Sequence, residues 1–95
     1  MPAYNVNEVI SRGKQILARH PTYSQKNRGV TMNDSSYDCS SFMGVINGVG
    51  EGSWPPATPG MVRAYTAAGY IHYGYGSVSL KKGDVLVWNK VGTSG

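Results

Sequence analysis

The chain has 95 residues, 40% hydrophobic, 15% charged and 11% aromatic, with thirteen Gly and five Pro. That is one domain at most; ten aromatic residues exclude a charge-rich disordered tail, and so much Gly and Pro excludes a plain helical bundle. The net charge of +4 suits polyanionic surroundings, but the nine Lys and Arg are spread without a run of five, so nucleic acid is not expected as a partner.

Val6, Val9, Ile10, Gly13, Ile16 and Leu17 recur at helical spacing and predict a first helix, with Asn7 as its cap, Glu8 in its first turn and Pro21 as its stop. The stretch from Tyr23 to Tyr37 is polar, carries Gly29 and the Asn33-Asp34-Ser35-Ser36 cluster, and predicts a loop. Phe42, Val45, Ile46 and Val49 stripe a second helix that Gly48 to Gly52 ends, which puts Cys39, Ser40 and Ser41 at its start. Trp54-Pro55-Pro56 is an extended linker. Thr58-Pro59 looks like a cap with Pro at the first position of a third helix, whose buried stripe is Met61, Val62, Tyr65 and Ala68 and whose end is Gly69.

From Tyr70 the period shortens. Tyr70 to Tyr75 and Val78 to Leu80 suit short strands, Lys81 to Asp84 a turn, and Val85 to Trp88 a fully buried strand. A strand so apolar needs neighbours on both sides, and few candidates remain to supply them.

Cys39 is the single cysteine, so no intrachain disulfide and no thiol metal quartet is expected, and no metal or cofactor is implied. The first residues lack a basic region followed by a long apolar one, so no signal peptide is expected. No apolar run approaches a membrane span, and no membrane partner is expected.

The one dense constellation is Tyr37-Asp38-Cys39-Ser40-Ser41-Phe42. A thiol at a helix start feels the dipole and free backbone N–H groups, which favour the negative sulfur and later an oxyanion. A lone cysteine on an apolar helix is more often a small core residue. Asp and Ser on either side weigh toward chemistry.

This hexapeptide, followed downstream by Gly83-Asp84-Val85-Leu86-Val87-Trp88, resembles the NlpC-like and CHAP-type cysteine peptidases, papain-fold hydrolases of the bacterial wall. The third helix ending in Gly69-Tyr70 and the closing Trp88 to Gly95 resemble more narrowly the phage lysin branch, whose members are amidases or endopeptidases. The resemblance implies an α+β, papain-like fold of N-terminal helices packed on an antiparallel sheet, incomplete in this chain. Residues 1–95 would be the N-terminal portion of that catalytic domain. It implies Cys39 as nucleophile, Asp38 and Ser40 as substrate-binding neighbours, Tyr23 lining the site, and bacterial peptidoglycan as partner. The bland alternatives are that Asp38 and Ser40 only cap the helix and that Tyr23 only packs. The chain would be made in the cytoplasm and reach the wall by holin release or as a virion part.

The family's general base is a histidine on a strand after the Gly-Asp strand, past a glycine-rich loop. Only His20 and His72 occur, the first beside a helix-stopping proline and the second ahead of the Gly-Asp strand. The base is therefore expected outside residues 1–95, with the remainder of the domain or a second copy completing the sheet. A rival reading is a non-catalytic wall-binding module, stacking glycan on Trp54, Tyr65, Tyr70, Tyr73 and Tyr75.

Overall fold

The computed structural model describes residues 5–73 and 79–87. Its elements run α1 (Val6–Leu17), β1 (Thr22–Tyr23), β2 (Ser36–Tyr37), α2 (Cys39–Asn47), a 3-10 turn (Thr58–Gly60) and α3 (Met61–Ala67). The α+β class is as expected.

α1 is capped by Asn5 and not by Asn7: the Asn5 carboxamide oxygen accepts from the Glu8 N–H at 2.8 Å. An asparagine three residues ahead of an acidic side chain reaches the third free N–H of the helix, while Asn7 is already inside it. The helix ends at Leu17, before Pro21. Gly13 and Ile16 are buried against α2, whereas Leu17, expected on the apolar stripe, is 58% exposed.

The core has two clusters that share Met43. Ile16, Tyr37, Val45 and Ile46 form the first, with Val9 and Phe42 against it. Val49, Met61 and Tyr65 form the second, flanked by Tyr70, Val85 and Val87. α2 separates them, so it is the scaffold on which both halves rest. Gly48 closes it in the left-handed conformation (φ 74°), and the Gly48 and Val49 N–H groups return to the carbonyls of Val45 and Gly44.

The sheet differs from the expected antiparallel one. Among the described residues it is a two-strand parallel pair, β1 with β2, in the register Thr22 to Ser36 and Tyr23 to Tyr37. β2 and Tyr23 of β1 belong to the segment read as loop, and Thr22 stands just before it. The strands pair because the Asp34 carboxylate gathers the N–H groups of Val30 (2.7 Å) and Thr31 (2.9 Å) and turns the chain back, a polar device with no hydrophobic period to announce it.

Residues 70–73, 79–80 and 84–87 are not in strands. The turn over Lys81 to Asp84 forms as expected, with the Asp84 N–H on the Lys81 carbonyl at 3.0 Å and Gly83 at φ 97°. Val85 and Val87 are half-buried against the second cluster, and Leu86 between them is 52% exposed. That alternation replaces the fully buried strand: one face of the segment meets the core and the other meets solvent. Of the expected strand residues, Gly74, Tyr75, Val78 and Trp88 lie outside the described residues, as do the closing residues 89–95.

Thr58 is buried and is not the cap; it opens the 3-10 turn after Ala57, with Pro59 second, and the turn feeds α3. Met61 and Tyr65 are its buried face, and Val62 is 40% exposed instead of part of the stripe.

Candidate active site at the start of helix α2

α2 begins at Cys39 because Asp38 and Ser41 close its first turn reciprocally. The Asp38 carboxylate accepts the Ser41 N–H at 2.8 Å, and the Ser41 hydroxyl accepts the Asp38 N–H at 2.9 Å. This capping box satisfies two otherwise orphan donors and holds Asp38 in extended backbone (φ −103°, ψ −178°). Cys39, at the first helical position, is exposed.

A shallow groove of about 230 Å³ opens at the thiol. Pro21 and Tyr23 form one wall, and Tyr37, Asp38, Cys39 and Phe42 form the other. The parallel β1–β2 register places Tyr23, which is 66% exposed, beside buried Tyr37. Tyr37 is fixed in turn by its hydroxyl on the Thr31 carbonyl and by an edge-on contact with Phe42 at 6.2 Å. Burial pushes the Tyr37 phenol up, so it stays neutral.

Of the four residues singled out from sequence, the structure brings Cys39, Asp38 and Tyr23 to this groove. Ser40 lies behind it, 5% exposed, its hydroxyl donating to Asp38 at 3.3 Å and accepting from Arg28 at 3.1 Å.

Arg28 escaped sequence reasoning. Its Nε donates to the second Asp38 oxygen at 3.0 Å, with the two side chains 7% and 10% exposed. Its guanidinium also lies 4.8 Å from the centroid of the Trp54 ring. A lone arginine in a polar loop carries no pattern that marks it. Gly29 next to it was the usable sign: a Cβ there would stand 2.5 Å from the Ser36 carbonyl and the Tyr37 ring, so the chain must be bare to approach β2 so closely.

Burial raises the Asp38 carboxyl, but the Ser41 hydrogen bonds and the Arg28 charge outweigh it, and its pKa falls below the usual 3.8. Asp38 is thus a charged carboxylate with both oxygens occupied by the protein. What the arrangement offers chemically is an exposed cysteine at a helix N-terminus, on a first turn held by a capping box, beside an aromatic wall.

Neither His20 nor His72 lines the groove; both are exposed. His20 takes a left-handed backbone (φ 54°) just before Pro21. Among the described residues no group of three or more His, Cys, Asp or Glu is placed to hold a metal. No described helix is long and apolar enough to cross a membrane.

The tyrosines of the wall-binding alternative separate into two kinds. Tyr65 is 5% exposed and Tyr70 packs on it edge-to-face at 5.1 Å, its hydroxyl donating to Asn47 at 2.9 Å. They are core. Tyr73 and Trp54 are 56% and 64% exposed, and Tyr75 lies outside the described residues.

No family model, curated protein or solved structure matches this chain.

Proposed function

We propose that the chain carries the nucleophile of a cysteine-dependent peptidoglycan hydrolase, an amidase or stem-peptide endopeptidase of the phage-lysin kind. The observation that supports this is the exposed Cys39 at the first position of α2, opening on a groove walled by Tyr23 and Phe42. A core cysteine would be covered; this one faces solvent on a turn stiffened by a capping box.

In this reading the Cys39 sulfur attacks the amide carbonyl, and first-turn N–H groups stabilise the developing oxyanion. The C–N bond breaks, the amine leaves with a proton, and water hydrolyses the thioester. Asp38 and Ser40 flank the nucleophile, and Tyr23 contacts the peptide. The papain-like fold, the domain-portion assignment and the wall as partner belong to the same proposal. In this reading the general base is a histidine brought by a further segment of the domain, since neither His20 nor His72 lines the groove.

The test is turbidity loss of purified bacterial walls with the chain alone, with added imidazole as a surrogate base, and with a histidine-bearing partner segment. The expected result is no lysis alone and Cys39-dependent lysis when a base is supplied. Lysis that persists in Cys39→Ser overturns the reading. Lysis by the chain alone that disappears in His72→Ala relocates the base.

A further inference from the structure

Trp54 combines two properties that seldom meet. Its side chain is 64% exposed, yet the segment that bears it is held at several points. Pro55 next to it is fully buried in the hollow left by Gly44, where a Cβ would stand 2.6 Å from the proline Cβ. The Gly52 N–H donates to the Val30 carbonyl at 2.6 Å, tying this loop to the one that carries Arg28. The Arg28 guanidinium then backs the indole at 4.8 Å, with its own side chain only 7% exposed. One face of the ring is therefore closed by a buried cation, and the opposite face is in water.

We propose that this open indole face is a stacking subsite for a pyranose ring, the N-acetylhexosamine of the wall glycan. The proposal rests on the reading of Cys39 as a hydrolytic nucleophile and deepens it by naming the substrate's other half. A flat apolar surface meets the C–H face of a sugar, while the indole N–H at its edge can donate to a hydroxyl. Because the ring is already fixed, little side-chain freedom is lost on binding. The same guanidinium that backs the ring holds Asp38 and Ser40, at 3.0 and 3.1 Å, on either side of Cys39. The platform thus stands one guanidinium away from the nucleophile's two neighbours. Tyr65 and Tyr70 contribute nothing to it, being spent in the core.

Isothermal titration of the Cys39→Ser chain separates binding from turnover. The probes are an N-acetylglucosamine oligosaccharide and a sugar-free stem peptide. The oligosaccharide should bind saturably, lose about tenfold or more in affinity in Trp54→Leu, which still covers Arg28, and keep most of it in Trp54→Phe. The stem peptide should bind all three alike. Oligosaccharide affinity unchanged in Trp54→Leu, or absent at millimolar concentration, overturns the subsite. Wall lysis with a base supplied is read separately. Walls left intact while sugar binding depends on Trp54 would remove the catalytic reading and leave the subsite standing. Walls cut by Cys39 with unchanged KM in Trp54→Leu would do the reverse.

Discussion

Arg28 and Asp38 form an ion pair at 3.0 Å in which the side chains are only 7% and 10% exposed. Ten positions separate them in the chain, and the polar loop between them folds back on the Asp34 turn to bring them together. The pair joins the loop to the first turn of α2, so the setting of Cys39 depends on a residue far from it in sequence.

Removing one partner of a buried pair leaves the other charged and uncompensated. Arg28→Met and Asp38→Ala should each lower unfolding free energy by about 3–5 kcal/mol, Asp38→Ala losing its cap as well. Urea unfolding measures this, and the double variant should cost clearly less than the sum of the two. A loss under about 1 kcal/mol for both would show that the pair is solvated.

The pH dependence has a fixed sign. Asp38 and Asp34 both have folded pKa values below 3.8, Asp34 chiefly through the Val30 and Thr31 N–H groups. A depressed folded value means stability present above the unfolded pKa and lost as pH falls through the folded one. Stability should therefore drop below about pH 4, with a shallower slope in Asp38→Asn. Equal slopes for the two proteins would remove Asp38 from the acid transition.

The exposure of Cys39 predicts how it meets an alkylating agent. Iodoacetamide should modify it in the folded chain at a rate that does not change across low, non-denaturing urea concentrations. A thiol that reacts only through opening would instead react faster with each increment of urea.

Gly44→Ala should destabilise despite alanine's better helix propensity. The added Cβ would stand 2.6 Å from the Pro55 Cβ and 2.8 Å from the Val49 carbonyl. Overpacking of about 1–3 kcal/mol exceeds a propensity gain of about 1 kcal/mol. A raised melting temperature would show that the Pro55 loop moves aside freely, and with it the platform of Trp54.

Local signals were legible in the sequence wherever the physics is local. The Asp-Cys-Ser-Ser start of α2, its Gly48 end, the turn at Gly83 and the three helices all rest on groups within four residues of each other, and a linear reading finds such pairs. The same reading chose Asn7 over Asn5, because both precede Glu8 and only the chain direction entering α1 selects one. Tertiary structure decided the rest. Pairing of β1 with β2 depends on a backbone turn at Asp34, the packing of Tyr70 against Tyr65 on where α3 lands, and the Arg28–Asp38 contact on both loops closing. Val85 and Val87 look like a fully buried strand in sequence, since hydrophobicity records only that a side chain avoids water. How many faces are covered is set by which neighbours arrive, and that is a property of the folded chain.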